Sequence, residues 1–460
     1  FQSDIPTLHS SLAVALVPFY EYVTVSQGIE KFDRRDSHET EGLERSFAGV
    51  VFKDLVHEFE LNDVPAFYDD DYITSKNDYI KKIDFQLAQI NKPSGEKVKY
   101  MTTWEELADE LRKSHSFGKY VKIVEKMAKS QLLPRLGLTG KPQQEQVQII
   151  TDYVKDNYKW NGYLGKYASQ TAKSFHKTMT GNSGDMNLFL LGMLRGAGIK
   201  ANPVILSTRS HGKVKVNYPF SSHFNMVAVV AEVPEGILSL DATNRTLPFY
   251  LLSRRCLNGI GLLLDEENLS FMNLTPSFFS SIKETTTITV DTATMETNYI
   301  TNERSTRYYA ANNRRLYNSD EDEFFESRLN DAQELKSHKI ENLDDRESAF
   351  VAKYSKSNPI ERFKGDLYLY PMSTAVFDSN PFLNRKRDYP VDFIYQKQRI
   401  YATTILCPAG YQIKTTPDNL KLDNEMLSFD YKFTPLLGGQ NLRFEATFVT
   451  KQAVYEVEQY

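Results

Sequence analysis

Cysteine is nearly absent from this sequence: Cys256 and Cys407 are the two in 460 residues. They stand far apart and fit no metal or redox spacing, which excludes a disulfide framework as the organiser of the fold. A surplus of basic charge is missing too. Lysine and arginine number 55 against 60 aspartates and glutamates, and the formal charge of -5 leaves no footprint for nucleic acid or an anionic membrane. No apolar run reaches the roughly 18 residues that a membrane-spanning helix requires. There is no His-Glu-x-x-His, no Gly-x-x-x-x-Gly-Lys loop and no strand-linked Gly-x-Gly-x-x-Gly, so neither a metal nor a cofactor is expected.

Aromatic residues are plentiful, with 27 tyrosines and 28 phenylalanines, a load that suits half-buried pleated surfaces. At about 150 residues per domain, a chain of 460 predicts about three domains. Residues 1–98 read as strands rich in Val, Phe and Tyr, as in Ser11 to Val17 and Tyr20 to Val25, and the turn-forming Asn91-Lys92-Pro93-Ser94-Gly95 ends them. Thr103-Trp104-Glu105-Glu106 then has the form of a capping box, in which each end satisfies an unpaired amide at a helix start. Phe117, Tyr120, Val124 and Met127 fall on one helical face, as do Val147, Ile150, Val154 and Tyr158. From about Ser280 the strand pattern returns, in Thr285 to Val290, Tyr395 to Thr404 and Leu442 to Tyr455. One helix is expected inside that stretch, capped by Ser319 with Asp322 and carrying Phe324, Phe325 and Leu329. The expected boundaries are a β-sandwich-like domain over 1–98, an α+β core over 99–275 and a β-rich domain over 276–460. The chain opens on Phe1 rather than Met, and an upstream segment is expected to have been removed.

The chemistry-bearing stretch is Gly181-Asn182-Ser183-Gly184-Asp185, running into the apolar Leu188 to Leu194, then Gly198-Ile199 and the strand-like Pro203 to Leu206. Ser222-His223-Phe224-Asn225 follows, and Asp241 closes the strand-like Ile237 to Leu240 before Ala242-Thr243. The order Ser183, His223, Asp241 resembles the transglutaminase-like superfamily of papain-like cysteine enzymes. In that family a cysteine starts a buried helix, a histidine opens a strand and an aspartate precedes Ala-Thr. Tyr158-Lys159-Trp160-Asn161-Gly162 and Arg195-Gly196-Ala197-Gly198-Ile199 extend the resemblance to the flanks. The chain looks closest to two-domain envelope proteins of Bacteroidetes, in which a DUF3857-like β-sandwich precedes the core. The resemblance implies an α+β fold with a papain-like core between an N-terminal and a C-terminal antiparallel β-sandwich-like domain, in the periplasm or at the cell surface.

Serine in place of cysteine decides the chemistry. A thiol starts near pKa 8.5 and falls to roughly 3.5–7.5 beside a helix N-terminus and an imidazolium, whereas a serine hydroxyl stays protonated there. Serine attacks only if histidine takes its proton during the reaction, and the shorter C–O bond withdraws the attacking atom; misplacement by about 1 Å costs on the order of 100-fold. Each residue also has a plainer reading. Ser183 suits an N-cap. His223 suits a hydrogen-bonded core histidine, and Asp241 an Asx turn at a strand end. Trp160 and Asn161 line a cleft or, equally, belong to the core.

Three functions follow. The first is a catalytically inactive binding or scaffolding protein of the bacterial envelope. The second is a serine-dependent peptidase, amidase or acyltransferase using Ser183, His223 and Asp241. The third is recognition through β-domain loops such as Arg307-Tyr308-Tyr309. The expected partner is a peptide, protein or glycan. The loop Arg209 to Ser221, with Gly212 as a turn or hinge, is placed to lie over the cleft. Asp69-Asp70-Asp71 lacks calcium-loop spacing and reads as a solvated turn.

Overall fold

The computed structural model describes residues 1–42, 44–47, 49–68, 70–100, 103–330, 333–372, 374–376 and 380–460, so Asp69 lies outside the described residues. The chain forms two compact units. The first comprises Phe1–Leu238 and Arg255–Leu274, the second Ser239–Arg254 and Thr275–Tyr460.

The first unit begins with two three-stranded sheets. In one, Leu55–Val64 is flanked by Thr7–Leu16 and Arg34–Glu39; in the other, Lys82–Asn91 is flanked by Tyr20–Gln27 and Lys97–Lys99. All four pairings are antiparallel. Alternation along each strand sends aromatic rings to one side. Phe59 of the first sheet meets Phe85 of the second at 5.9 Å between ring centroids, with Phe32 packed on Phe59 at 5.2 Å. This contact makes the pair of sheets a sandwich.

Five α-helices follow among the described residues: α1 (Trp104–Lys113), α2 (Gly118–Met127), α3 (Gln143–Asn157), α4 (Ala172–Thr178) and α5 (Ser183–Gly196). The capping box read from the sequence starts α1, with the Thr103 hydroxyl accepting from Glu106 N and the Glu106 carboxylate accepting from Thr103 N. Every residue of α5 except Arg195 is buried, as befits a helix apolar on nearly all sides. It crosses α2 at Gly192, where a Cβ would come within 2.5 Å of Val124 Cβ. Beneath α5 lies an antiparallel sheet in the order Met226–Val233, Ala201–Leu206, Ile260–Leu264, Leu269–Asn273. The next strand, Gly236–Leu240, starts in the first unit and ends in the second.

The second unit is built on an eight-stranded sheet in the order Glu334–Glu341, Phe350–Pro359, Glu296–Ser305, Ser280–Asp291, Lys397–Leu406, Asn441–Thr450, Leu427–Leu436, Leu420–Asp423. Its pairings are antiparallel except between Ser280–Asp291 and Lys397–Leu406, which run parallel. Two helices, α6 (Arg307–Ser319) and α7 (Glu321–Glu326), pack on it through a cluster of Ala310, Phe324, Phe325, Phe350, Ala352 and Tyr354. The expected single helix is thus two, and α7 is capped by Asp320, whose side chain accepts from Glu323 N. Arg307-Tyr308-Tyr309 is not a recognition loop but the first turn of α6. Tyr308 is buried, stacked on Tyr395 at 4.6 Å, and its hydroxyl donates to the Leu252 carbonyl. Under the helices Arg328 grips Glu303 with two parallel hydrogen bonds of 2.8 and 2.7 Å, both side chains buried. Asn313 adds a third bond to that carboxylate at 3.0 Å.

Candidate functional site

The start of α5 is held by its own capping box. Asn182 Oδ1 accepts from Asp185 N at 2.8 Å, and Asp185 Oδ2 accepts from Asn182 N at 3.0 Å. The cap is therefore Asn182 and not Ser183, which is the first residue inside the helix. The Asp185 carboxylate also accepts from Ser169 N and Gln170 N, so a buried charge is fully hydrogen-bonded.

Ser183 is completely buried, and both ends of its hydroxyl are in use. Its Oγ accepts from Gly165 N at 2.8 Å and donates to the Gly165 carbonyl at 3.0 Å, while Ser183 N donates to the Tyr163 carbonyl at 3.1 Å. The segment Tyr163 to Tyr167 is pressed against the helix. A Cβ at Gly184 would lie 2.2 Å from the Tyr167 oxygen, so only glycine fits there. Lys166 then reaches the Ser221 and Phe224 carbonyls at 2.5 and 3.0 Å, and burial pulls its amine down to about 8.

His223 is not part of this arrangement. It ends a short 3-10 turn, Ser221–His223, and no hydrogen bond joins it to Ser183. The strand that the resemblance has a histidine open begins instead at Met226, which is buried with its sulfur 3.6 Å from Cys256 Sγ. One turn into α5, Asn187 donates to the Val227 carbonyl at 2.8 Å, so the first turns of the helix are bonded to the strand beginning at Met226. Burial, and next the charge of Lys215, hold the His223 imidazole below its ordinary value, with Asp84 and the Tyr218 carbonyl pulling the other way. Its Nε2 is buried and without a hydrogen-bond partner.

The loop preceding His223 explains its direction. It is docked onto the N-terminal sandwich, while its Ser221 carbonyl accepts from Lys166. Asn77 donates to the Ser210 carbonyl at 3.0 Å, Lys213 N donates to Asp78 Oδ1 at 2.6 Å, Lys215 meets Asp84 at 3.3 Å and Ser222 donates to Gln86 at 3.2 Å. Gly212 makes the approach possible: its φ is +105°, and an added Cβ would lie 3.0 Å from Asp78 Oδ1.

Asp241 lies in the second unit, just past the strand Gly236–Leu240. Its Oδ1 accepts from Thr243 N at 3.0 Å and from the Thr243 hydroxyl at 2.7 Å, an Asx turn, and its Oδ2 accepts from Ser253 N at 3.3 Å.

Residues 131–233 match the Transglutaminase-like superfamily. Residues 365–460 match the Domain of Unknown Function with solved-structure structure, DUF3858. The matched domain of unknown function is thus C-terminal to the core. Over 100% of this chain and 69% of the other, the fold is similar to that of a "putative protease" from Parabacteroides distasonis ATCC 8503, with a TM-score of 0.53 and 13% identity. A "putative cysteine protease" from Cytophaga hutchinsonii matches over 51% of this chain and 75% of its own at 12% identity and a TM-score of 0.22. No curated protein matches. The molecule is therefore an α+β protein with a transglutaminase-like core and β-rich flanking regions.

Within that core, Trp160 and Asn161 shape the Tyr163 turn. Trp160 Nε1 donates to the Tyr163 carbonyl at 2.8 Å while the Arg255 guanidinium covers the ring at 4.0 Å. Asn161 Oδ1 accepts from Tyr163 N at 3.0 Å, and Asn161 N donates to the Gly181 carbonyl at 2.9 Å. Among the described residues one trio, Asp36, His38 and Glu58, has metal-ligand spacing, but Arg34 pairs with Asp36 and Glu58 at 3.5 and 3.1 Å. Gly165 and Met226 escaped the sequence reading. Met226 had a signal, the unbroken apolar run Met226 to Ala231; Gly165 had none, being joined to Ser183 only by the fold.

Proposed function

We propose that the transglutaminase-like core is catalytically silent and that the protein acts as a binding or scaffolding protein of a bacterial envelope. The observation that carries this reading is the double hydrogen bond between Ser183 and Gly165. A nucleophilic hydroxyl must hand its proton to a base, and this one donates its hydrogen bond to a backbone carbonyl that cannot take the proton. The base position favours the same reading, because a buried thioether at Met226 accepts no proton and His223 faces another part of the molecule. A serine-dependent hydrolase would need Ser183 to leave Gly165 and His223 to leave its docked loop.

The DUF3857-like reading of the N-terminal domain and the envelope location, periplasmic or at the cell surface, rest on the resemblance alone. Purified protein is expected to hydrolyse activated esters and peptide substrates no faster than its Ser183→Ala variant. A wild-type rate far above that of the variant would sink the silent-core reading. Fractionation of the native host with an antibody tests the location, and recovery in the cytoplasm would overturn it.

A further inference from the structure

The loop that turns His223 away from α5 turns it into a cavity. This cavity, of about 470 Å³, lies between the N-terminal sandwich and the docked loop, both in the first unit. Its volume falls within the range of small-molecule sites, roughly 300–1,000 Å³.

The two walls differ in chemistry. On the sandwich side, strand alternation puts Gln27, Lys82, Asp84 and Gln86 on one face, and the register pairs Gln27 with Lys82 and Val25 with Asp84. On the loop side stand three rings in series. Tyr218 lies parallel to Phe220, 2° apart in plane and 6.3 Å between centroids, and Phe220 meets His223 edge-on at 5.7 Å. A ligand with a C–H-rich face and a hydroxylated rim matches such a pair of walls.

Two buried polar atoms on lining residues, His223 Nε2 and Asp78 Oδ2, have no hydrogen-bond partner. The Tyr218 backbone acts on the His223 ring. Asp78 has its Oδ1 occupied by Lys213 N. Burial favours the neutral imidazole. A buried polar atom left unpaired is costly, and hydroxyl groups, which both donate and accept, suit either one. Lys82, Lys213 and Lys215 share the lining with Asp78 and Asp84, and Asp84 pairs with Lys82 and Lys215, so the lining shows no surplus of carboxylates to select an ammonium ligand.

We propose that this cavity binds a saccharide of one or two rings, whose hydroxyls hydrogen-bond to Asp78 Oδ2 and His223 Nε2 and whose apolar face rests on Tyr218 and Phe220. The proposal stands apart from the silent-core reading, since binding here is indifferent to whether Ser183 reacts.

The test is titration calorimetry with saturation-transfer NMR on the whole chain, using cellobiose, N,N′-diacetylchitobiose, galacturonic acid and glycylglycine as probes. At least one saccharide is expected to bind with millimolar or tighter affinity. Asp78→Asn and His223→Phe are each expected to weaken it about tenfold or more while preserving the circular-dichroism melt. If either variant melts early, Tyr218→Ala supplies a further arm, with loss of the ring-proton transfer as the expected result. No saccharide binding, binding untouched by these changes, or preferential binding of glycylglycine would each overturn the proposal.

Discussion

Ser183 and Gly165 are bonded to each other in both directions, the hydroxyl accepting from the glycine amide at 2.8 Å and donating to its carbonyl at 3.0 Å. Eighteen residues separate them along the chain. The pair holds the start of α5 against the segment Tyr163 to Tyr167, and Ser183 is fully buried there.

Ser183→Ala removes both bonds and leaves a backbone N–H and C=O without partners. A loss of about 1–3 kcal/mol is expected in urea unfolding, with ester hydrolysis unchanged. A neutral effect on stability would mean that the two bonds hold nothing.

Restoring the thiol should not restore reactivity. In a Cys407→Ser background, Ser183→Cys is expected to resist thiol reagents in the folded state, because the position is fully buried and the only other cysteine, Cys256, is buried as well. Labelling of that variant as fast as its unfolded chain would contradict the sealed site.

The imidazole of His223 should titrate below the ordinary histidine value of about 6.5. Lys215→Gln should raise its midpoint, since the Lys215 ammonium opposes the imidazolium; Asp84, His211 and the Tyr218 carbonyl are the other polar groups acting on the ring. As pH falls through about 6.5 the unfolded chain takes up this proton before the folded one does, so stability declines on acidification until the folded midpoint is passed. Denaturation at intervals between neutral and mildly acidic pH, for wild type and His223→Phe, reads the difference: the variant should lose less. An NMR midpoint at or above the ordinary value would refute this.

In the second unit, the buried fork between Arg328 and Glu303 predicts an asymmetry. Arg328→Met alone strands a buried carboxylate and should cost about 3–5 kcal/mol. Adding Glu303→Leu should recover much of that loss, because two buried charges leave together. A double variant as unstable as the sum of the singles would show that the pair itself, and not the stranded charge, carries the stability.

How much of this was legible depends on whether the cause was local. The Thr103–Glu106 box and the apolar run of α5 were readable because both act within a turn or two of helix. Helix α6 was hidden: Arg307 to Ser319 is rich in Arg, Asn and Tyr, and no side chain caps it. His223 was placed by its order in the chain, yet its direction is set by Asp78, Asp84 and Gln86, more than a hundred residues upstream. Local pattern carries no trace of such a docking. Ser183 was found at the right helix start, but the partner that occupies its hydroxyl is brought to it by the turn at Tyr163.

The interleaving of the two units constrains how this protein can be cut. Ser239–Arg254 is bracketed by first-unit sequence, yet its bonds run to the second unit: Leu252 accepts from Tyr308, Phe249 N donates to Glu347 and Arg245 accepts from Arg346. A gene ended at residue 274 would express that segment without those partners, and one begun at 275 would leave Tyr308 buried with no carbonyl to donate to. No single stop or start codon yields either unit whole, so a shortened chain would be expected to reach the cell's proteases before it reached a stable fold.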